Sequence, residues 1–216
     1  TPSPEVMRAM QEAGNSFVEM EELLATAGAR IADLVGADAA YPTAGAYAAL
    51  VLSTAACITG NDPEKAAQIP DLGGLKSEIV LQQRHRYGYD RAYTIPGSRL
   101  VLAGDEEGTT AEQLIRAIGP DTAAVAYLVS ADKDESTVGL EETVEIAHAR
   151  GIPVIADAAA QIYPLDSLRR NAQSSDLVCF GGKYMGAPHS TGFVCGKKDM
   201  IEAVTAHGFI GPRPFG

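Results

Sequence analysis

The sequence predicts an α/β protein: a mostly parallel sheet covered on both faces by helices. Strand-like runs alternate with helical patterns along the chain, and a strand that returns parallel to its predecessor must cross over, usually through a helix. The strand-like runs are apolar at nearly every position rather than at every second one, as in strands buried on both faces. At 216 residues and 46% hydrophobic, the chain can bury one sizeable core.

Taken in order, Ser3-Pro4 reads as an N-cap and first helical residue opening a helix through Gln11. Phe17, Met20, Leu23, Leu24, Ala27, Ile31 and Leu34 recur at helical spacing, which predicts an amphipathic helix over residues 17–35. "AAYPTAGAYAALVLSTAACITG" follows, a short extended piece, a turn and an Ala-rich helix apolar on most sides, hence buried. The strand candidates are "EIVLQ" (78–82), "RLVLAG" (99–104), "AAVAYLV" (123–129), "IPVIAD" (152–157), "DLVCF" (176–180) and "GFVCG" (192–196). Helices are predicted between them at "TAEQLIRAIG", where Thr110 and Gln113 form a capping box, at "LEETVEIAHARG" and near "PLDSLRRN". There is no internal repeat and no low-complexity linker.

Composition excludes several classes of partner. A formal net charge of −11, with basic residues scattered apart from "QQRHRYGYDR", argues against a nucleic acid or an anionic membrane surface. No apolar run approaches the ~20 residues of a membrane span, and the start "TPSPEVMRAM" lacks the apolar core of a signal peptide. Cys57, Cys179 and Cys195 are odd in number, sit in apolar surroundings and fit no zinc spacing. They read as buried free thiols in a reducing compartment, which points to a cytoplasmic globular protein.

In parallel sheets, ligands gather outside the carboxyl ends of the strands. "IPVIAD" ends on Asp157, "DLVCFGGKYMGAP" delivers Lys183 just past a buried strand, and "EIVLQ" leads to His85. The turn "PTAGAYAAL" opens a helix with small residues and exposed amides, a setting that holds phosphate. Each feature alone has a plainer reading: Asp157 as a helix cap, Lys183 as a surface lysine after a glycine turn, His85 as a solvated loop residue. Asp157 and Lys183 stand out because they share two strand ends about one βα unit apart. Together the four features meet the needs of pyridoxal phosphate: an amine for the aldehyde, an acid to keep the pyridine nitrogen protonated, a flat side chain over the ring and a cradle for the phosphate.

The stretches "PTAGAYAALVLSTAACITG", "RHRYGYDRAYTIPGSRLV", "IPVIADAAAQ" and "FGGKYMGAPHSTGFVCGKKDMI" resemble, in order, the large domain of fold-type I pyridoxal-phosphate enzymes. The similarity is strongest to the branch containing selenocysteine synthase and D-glucosaminate-6-phosphate ammonia-lyase, with an aminotransferase class V-like large domain. The resemblance implies a three-layer αβα fold with a mostly parallel seven-stranded sheet, and a homodimer or a higher multiple with active sites near the subunit interface. It divides the chain into an N-terminal helical segment, residues 1–40, and a cofactor-binding large domain, residues 41–216.

Carried over residue by residue, the resemblance makes Lys183 the Schiff-base lysine and Asp157 the partner of the pyridine nitrogen. Thr43, Ala44, Gly45 and Ala46 cradle the phosphate, mostly by backbone, and His85 stacks on the ring. Gln161 reaches the 3-hydroxyl, although it stands four residues after Asp157 where the class V pattern has three. Gly181 and Gly182 occupy the place where the family usually has a hydroxyl residue for the phosphate. Either amides suffice there or Ser190 and Thr191 supply the hydroxyl. His189 and Tyr87 are rim or catalytic positions.

The family also implies a segment before "SPEVM" and a small C-terminal domain after a motif like "FIGPRPFG", where Arg213 is a candidate for the substrate carboxylate by proximity. The implied substrate is an amino acid or amino sugar acid, and the preferred reaction is an α,β-elimination of the ammonia-lyase type through a Lys183 aldimine. An aminotransferase remains an alternative. So do a selenocysteine synthase-like transferase, against which the acidic charge argues, and a non-catalytic cofactor-binding domain. A nucleotide-binding protein would need a glycine fingerprint that "DLGGLKSE" does not provide.

Overall fold

The computed structural model describes residues 2–131, 134–208 and 210. Among these, seven strands form one sheet: β1 (Ala39–Thr43), β2 (Glu78–Gln82), β3 (Arg99–Ala103), β4 (Thr122–Leu128), β5 (Val154–Asp157), β6 (Leu177–Gly181) and β7 (Gly192–Gly196). The spatial order is β1-β7-β6-β5-β4-β2-β3. Every pairing is parallel except the two made by β7, which runs antiparallel to both β1 and β6. The helices are α1 (Pro4–Ala13), α2 (Met20–Val35), α3 (Ala46–Thr59), α4 (Pro63–Gln68), α5 (Ala111–Ala117), α6 (Leu140–His148), α7 (Leu165–Ala172) and α8 (Lys198–Ala206). None of the described helices is long and apolar enough to cross a membrane.

The two-residue period of the strands divides the core into layers. Ile79 and Leu81 of β2, Ile155 of β5, and Leu177 and Cys179 of β6 pack toward α3 and α8. Val80, Val125, Tyr127 and Val154 point the other way, toward α5 and α6, while Val178 and Phe180 meet α2 and α7 on that same opposite face. The central strands are thus buried on both sides, which explains their continuous apolar runs, while β3 at the margin is partly exposed. The capping box predicted at Thr110 and Gln113 is formed in full at the start of α5.

At α2 the structure differs from the periodicity. The helix begins at Met20, and Phe17 lies outside it, fully exposed. The buried positions are Gly28, Ala32 and Val35, whereas Met20, Leu23 and Leu34 of the expected stripe remain exposed. Close approach decides this. A Cβ on Gly28 would fall 2.2 Å from the Ala40 carbonyl oxygen, so the helix presses its glycine onto the backbone of β1 rather than resting on large side chains. Within β1, Pro42 stands opposite Phe193 of β7, in a strand paired on one side only. Helix α4 is six residues long with no buried position, too weak a signature to be read from the sequence; α8, which buries Ile201, Ala203 and Val204, lies outside the helices predicted.

Two buried polar side chains pin the framework. Gln82, at the end of β2, accepts from Val138 N–H at 2.9 Å and donates to the Val138 carbonyl at 2.8 Å, a reciprocal pair that leaves no polar atom of the amide idle. Asp176, just before β6, accepts from Val154 N–H at 2.7 Å, from His148 Nε2 at 2.8 Å and from Lys197 Nζ at 2.5 Å. Burial pushes the Asp176 carboxyl up, but the Lys197, His148 and Val154 bonds outweigh it and hold the group below the usual carboxylate range.

Replacing Asp176 with Asn removes this charge while keeping the shape. Lys197 and His148 are half-exposed, so water solvates them once the anion is gone, and the cost is that of the lost charged hydrogen bonds, about 2 kcal/mol. A depressed folded-state pKa stabilises above the unfolded value of about 4 and is lost as pH falls through the folded value. Urea unfolding should therefore show the wild-type advantage over Asp176→Asn in full near pH 7, shrinking as pH falls below about 4.

Candidate functional site

The strand register brings the chemistry to one edge of the sheet. Thr43, Gly192 and Gly181 lie side by side across β1, β7 and β6, and Leu128 stands beside Asp157 across β4 and β5. Outside this edge lies a cavity of about 280 Å³. Its floor on one side is the start of α3, with Ala44, Gly45 and Ala46 lining it. Thr43 Oγ1 donates to the Gly45 carbonyl at 2.9 Å, and Gly45, at φ +119°, is the helix N-cap. No side-chain cap forms at the start of α3 and its first turn holds no acidic residue, the setting in which helix amides can take an anion. Strand β7 backs this turn closely: a Cβ on Gly192 would meet Gly45 C at 2.6 Å and Ala46 N at 2.8 Å.

Asp157 is 4% exposed at the end of β5. Its Oδ1 accepts from Ala159 N–H at 2.9 Å, and its Oδ2 accepts from the Tyr87 hydroxyl. Burial raises its pKa, and the Tyr87 and Ala159 bonds pull it back without cancelling the rise. Lys183 enters from β6 through a 3-10 turn, Gly182–Met185, which begins as soon as the buried strand ends. Its amine is exposed in the cavity, 4.9 Å from the Tyr184 ring centroid, a cation–π contact. The rim carries Tyr47 and Tyr89, edge to face at 6.3 Å, together with His189, Ser190 and Thr191. Ser190 holds φ +65°, an uncommon conformation for a residue with a side chain.

Residues 97–211, more than half of the chain, match the aminotransferase class V family. The chain belongs to this family. A 5'-C-glycyluridine monooxygenase-decarboxylase from a Streptomyces species is 37% identical over 215 residues, covering 95% of this chain and 53% of that protein. The D-glucosaminate-6-phosphate ammonia lyase of Salmonella typhimurium is 34% identical over 211 residues, covering 94% and 56%. A solved structure of D-glucosaminate-6-phosphate ammonia-lyase superposes with a TM-score of 0.89 at 31% identity, covering 96% of this chain and 57% of that one. The chain thus spans about half the length of the curated relatives it matches.

The cofactor of this class V chain is pyridoxal 5'-phosphate, and its residues fit that group. The α3 amides suit the phosphate, Lys183 supplies an amine, and Asp157 supplies a carboxylate on the neighbouring strand. Nothing lies within 4 Å of where a Cβ on Gly45 would sit, so the cradle is open at that point.

The remaining sequence-derived candidates are placed as follows. Gly181 lines the cavity, whereas Gly182 is buried behind it and donates its N–H to the Thr191 carbonyl at 2.8 Å. Thr191 Oγ1 lies 2.8 Å from where a Cβ on Gly182 would be, so the threonine fills the space that a side chain at 182 would take. Gln161 does not line the cavity. Its N–H closes the turn onto the Ala158 carbonyl at 2.9 Å, and its carbonyl accepts from Asn171 Nδ2 at 2.8 Å. Arg213 lies outside the described residues.

His85 departs most from expectation. It is fully buried, edge-on to Tyr127 at 4.6 Å, with Leu128 N–H pointing to Nδ1 at 3.5 Å, and it does not line the cavity. The 3-10 turn Gln83–His85 that follows β2 turns the imidazole inward, against β4. Two and four residues on, Tyr87 and Tyr89 reach the site instead. The sequence leaves Tyr87 between a rim and a catalytic position, because its contact with Asp157 spans 70 residues of sequence.

Introducing Ala at Gly192 should force β7 away from the α3 turn, at a cost of about 1–3 kcal/mol. Thermal unfolding with and without added pyridoxal phosphate checks this. Gly192→Ala should melt lower than wild type and gain less from the cofactor.

Proposed function

We propose that this chain is the cofactor-binding portion of a pyridoxal-phosphate-dependent lyase acting on an amino acid or amino sugar acid by α,β-elimination. The observation that carries the reading is the convergence of Lys183, Asp157 and the uncapped start of α3 on one cavity. The direction of the reaction comes from the ammonia-lyase relatives. Residues 41–216 serve as the large domain and residues 1–40 as a helical lead-in. The three free cysteines accord with a reducing, cytoplasmic setting.

When bound, pyridoxal phosphate supplies an electron sink for negative charge at the substrate Cα. The amides of Ala44, Gly45 and Ala46 at the start of α3 would hold its phosphate. Asp157 would keep a proton on the ring nitrogen, and the Lys183 amine would anchor the aldehyde. In the elimination, Lys183 Nζ would take the proton from the substrate Cα while the β-hydroxyl leaves with a proton as water. Water would then hydrolyse the remaining enamine to the 2-keto acid and ammonia.

We infer further that the working form is a homodimer or a multiple of one. An apolar groove lined by Met20, Leu24, Val51, Leu52 and Ile95 adjoins the cavity and shares Ala44 and Tyr47 with it. Tyr89 and Ile95 stand exposed beside it. A second copy of the chain covers such a surface and shields the cofactor from water.

Borohydride reduction of the cofactor-loaded protein followed by peptide mapping should place the label on the peptide carrying Lys183. Label on Lys76, Lys133 or Lys197 instead would overturn the assignment. Lys183→Ala should lower ammonia release from the best hydroxy amino acid or amino sugar acid by at least ~100-fold. Sedimentation at micromolar concentration should give a dimer or larger, and a monomer holding stoichiometric cofactor would refute the shared site.

A further inference from the structure

Asp157 has an elaborate set of neighbours for a residue whose task is a single contact. Its Oδ1 is bonded by the Ala159 amide and its Oδ2 by the Tyr87 hydroxyl. Beside Tyr87 stands Tyr93, buried in the same loop and close enough for each to act on the other electrostatically. We propose that Tyr87 is a positioning residue: its hydroxyl, bonded to Oδ2, fixes the Asp157 carboxylate for the ring nitrogen of the cofactor. This rests on the functional reading above and goes beyond it, by giving a role to a residue outside the lysine turn and the α3 turn.

A hydroxyl hydrogen rotates to suit its surroundings. That of Tyr87 turns onto Asp157 Oδ2, the acceptor in front of it. Tyr93 is itself held. It is 1% exposed, sits in the 3-10 turn Asp90–Thr94, and its carbonyl accepts from Ser98 Oγ. The Tyr87 backbone is held too, since its N–H reaches Asp90 Oδ2 at 3.3 Å and Asp90 is paired with Arg86. Both tyrosines are pushed to higher pKa by burial, so both stay protonated donors at any working pH.

The groups facing Asp157 are Tyr87 and Tyr93 from the loop after β2, Cys179 from β6, and Lys183 across the cavity. Of these, Tyr87 is the side chain that bonds the carboxylate. With both oxygens engaged, the carboxylate plane cannot turn, yet an ionised carboxylate has about four acceptor sites and keeps room for the cofactor. A tyrosine present only to fill space would need no hydroxyl.

The test compares pyridoxal phosphate with an analogue in which a CH group replaces the ring nitrogen. The analogue keeps the aldehyde and phosphate but has nothing for Asp157 to hold. Dissociation constants are measured for both on the wild-type protein and on Tyr87→Phe, by absorbance titration of the cofactor-free protein. The variant should bind pyridoxal phosphate on the order of tenfold more weakly, while its affinity for the analogue changes by less than about twofold. An equal loss for both ligands makes Tyr87 a packing residue and overturns the proposal, as does no loss for either. Should Tyr87→Phe fail to fold, Tyr93→Phe removes the hydroxyl packed beside it. It must then show the same selective loss, smaller in size, and an unselective loss overturns the proposal equally. A wild-type protein that binds neither compound refutes the functional reading itself, an outcome distinct from either failure above.

Discussion

Where β7 crosses the start of α3, backbone lies against backbone. A methyl on Gly192 would press into Gly45 and Ala46, and would also fall 2.6 Å from the Phe180 carbonyl oxygen on the other side. This contact fixes the height of the α3 amides relative to the ends of β6 and β7, because neither side has a flexible side chain that could give way. The distance from the start of α3 to the lysine turn is set by the same packing: Gly192 pairs with Gly181, and the turn bearing Lys183 starts at the next residue. The antiparallel insertion of β7 between β1 and β6 serves this arrangement, since it brings the loop of His189, Ser190 and Thr191 back over the cavity.

Two buried aspartates, one at each edge of the central strands, show how environment assigns roles. Asp176 lies at the amino edge of the sheet, compensated by a lysine, a histidine and an amide, and its carboxyl is held low. Asp157, at the carboxyl edge, has neutral donors for hydrogen-bond partners, and its carboxyl is raised. The first is satisfied within the fold and acts as a clamp. The second remains under-compensated, and a positively charged partner relieves that condition. A protonated pyridine nitrogen is such a partner.

Much of this was legible in the sequence where the local pattern and the tertiary role coincide. The strands gave themselves away because burial on both faces leaves only apolar residues, and Asp157 and Lys183 stood out as polar residues placed at the ends of such runs. The start of α3 was visible through its glycine and alanines. The failures have equally physical reasons. In α2, a glycine contact with Ala40 overrode a stripe of larger apolar residues, and spacing alone cannot show that a helix prefers close backbone approach to large side chains. After β2, one short 3-10 turn sent His85 into the core and Tyr87 to the site, and a rotation of that kind leaves no mark in composition.

The grip of α2 on β1 bears on the solution behaviour of the chain. A seven-stranded sheet has two free margins, and a margin with idle N–H and C=O groups is a template for recruiting foreign strands. At one margin, β1 has Pro42, which has no N–H to offer, and the backbone of α2 crowds the carbonyl of Ala40. At the other, β3 is five residues long and opens with Arg99, exposed and tied to Glu78 of β2. Short length, a proline, a charge and a covering helix are the devices that discourage edge-to-edge aggregation. They blunt both margins of the sheet against the recruitment of foreign strands.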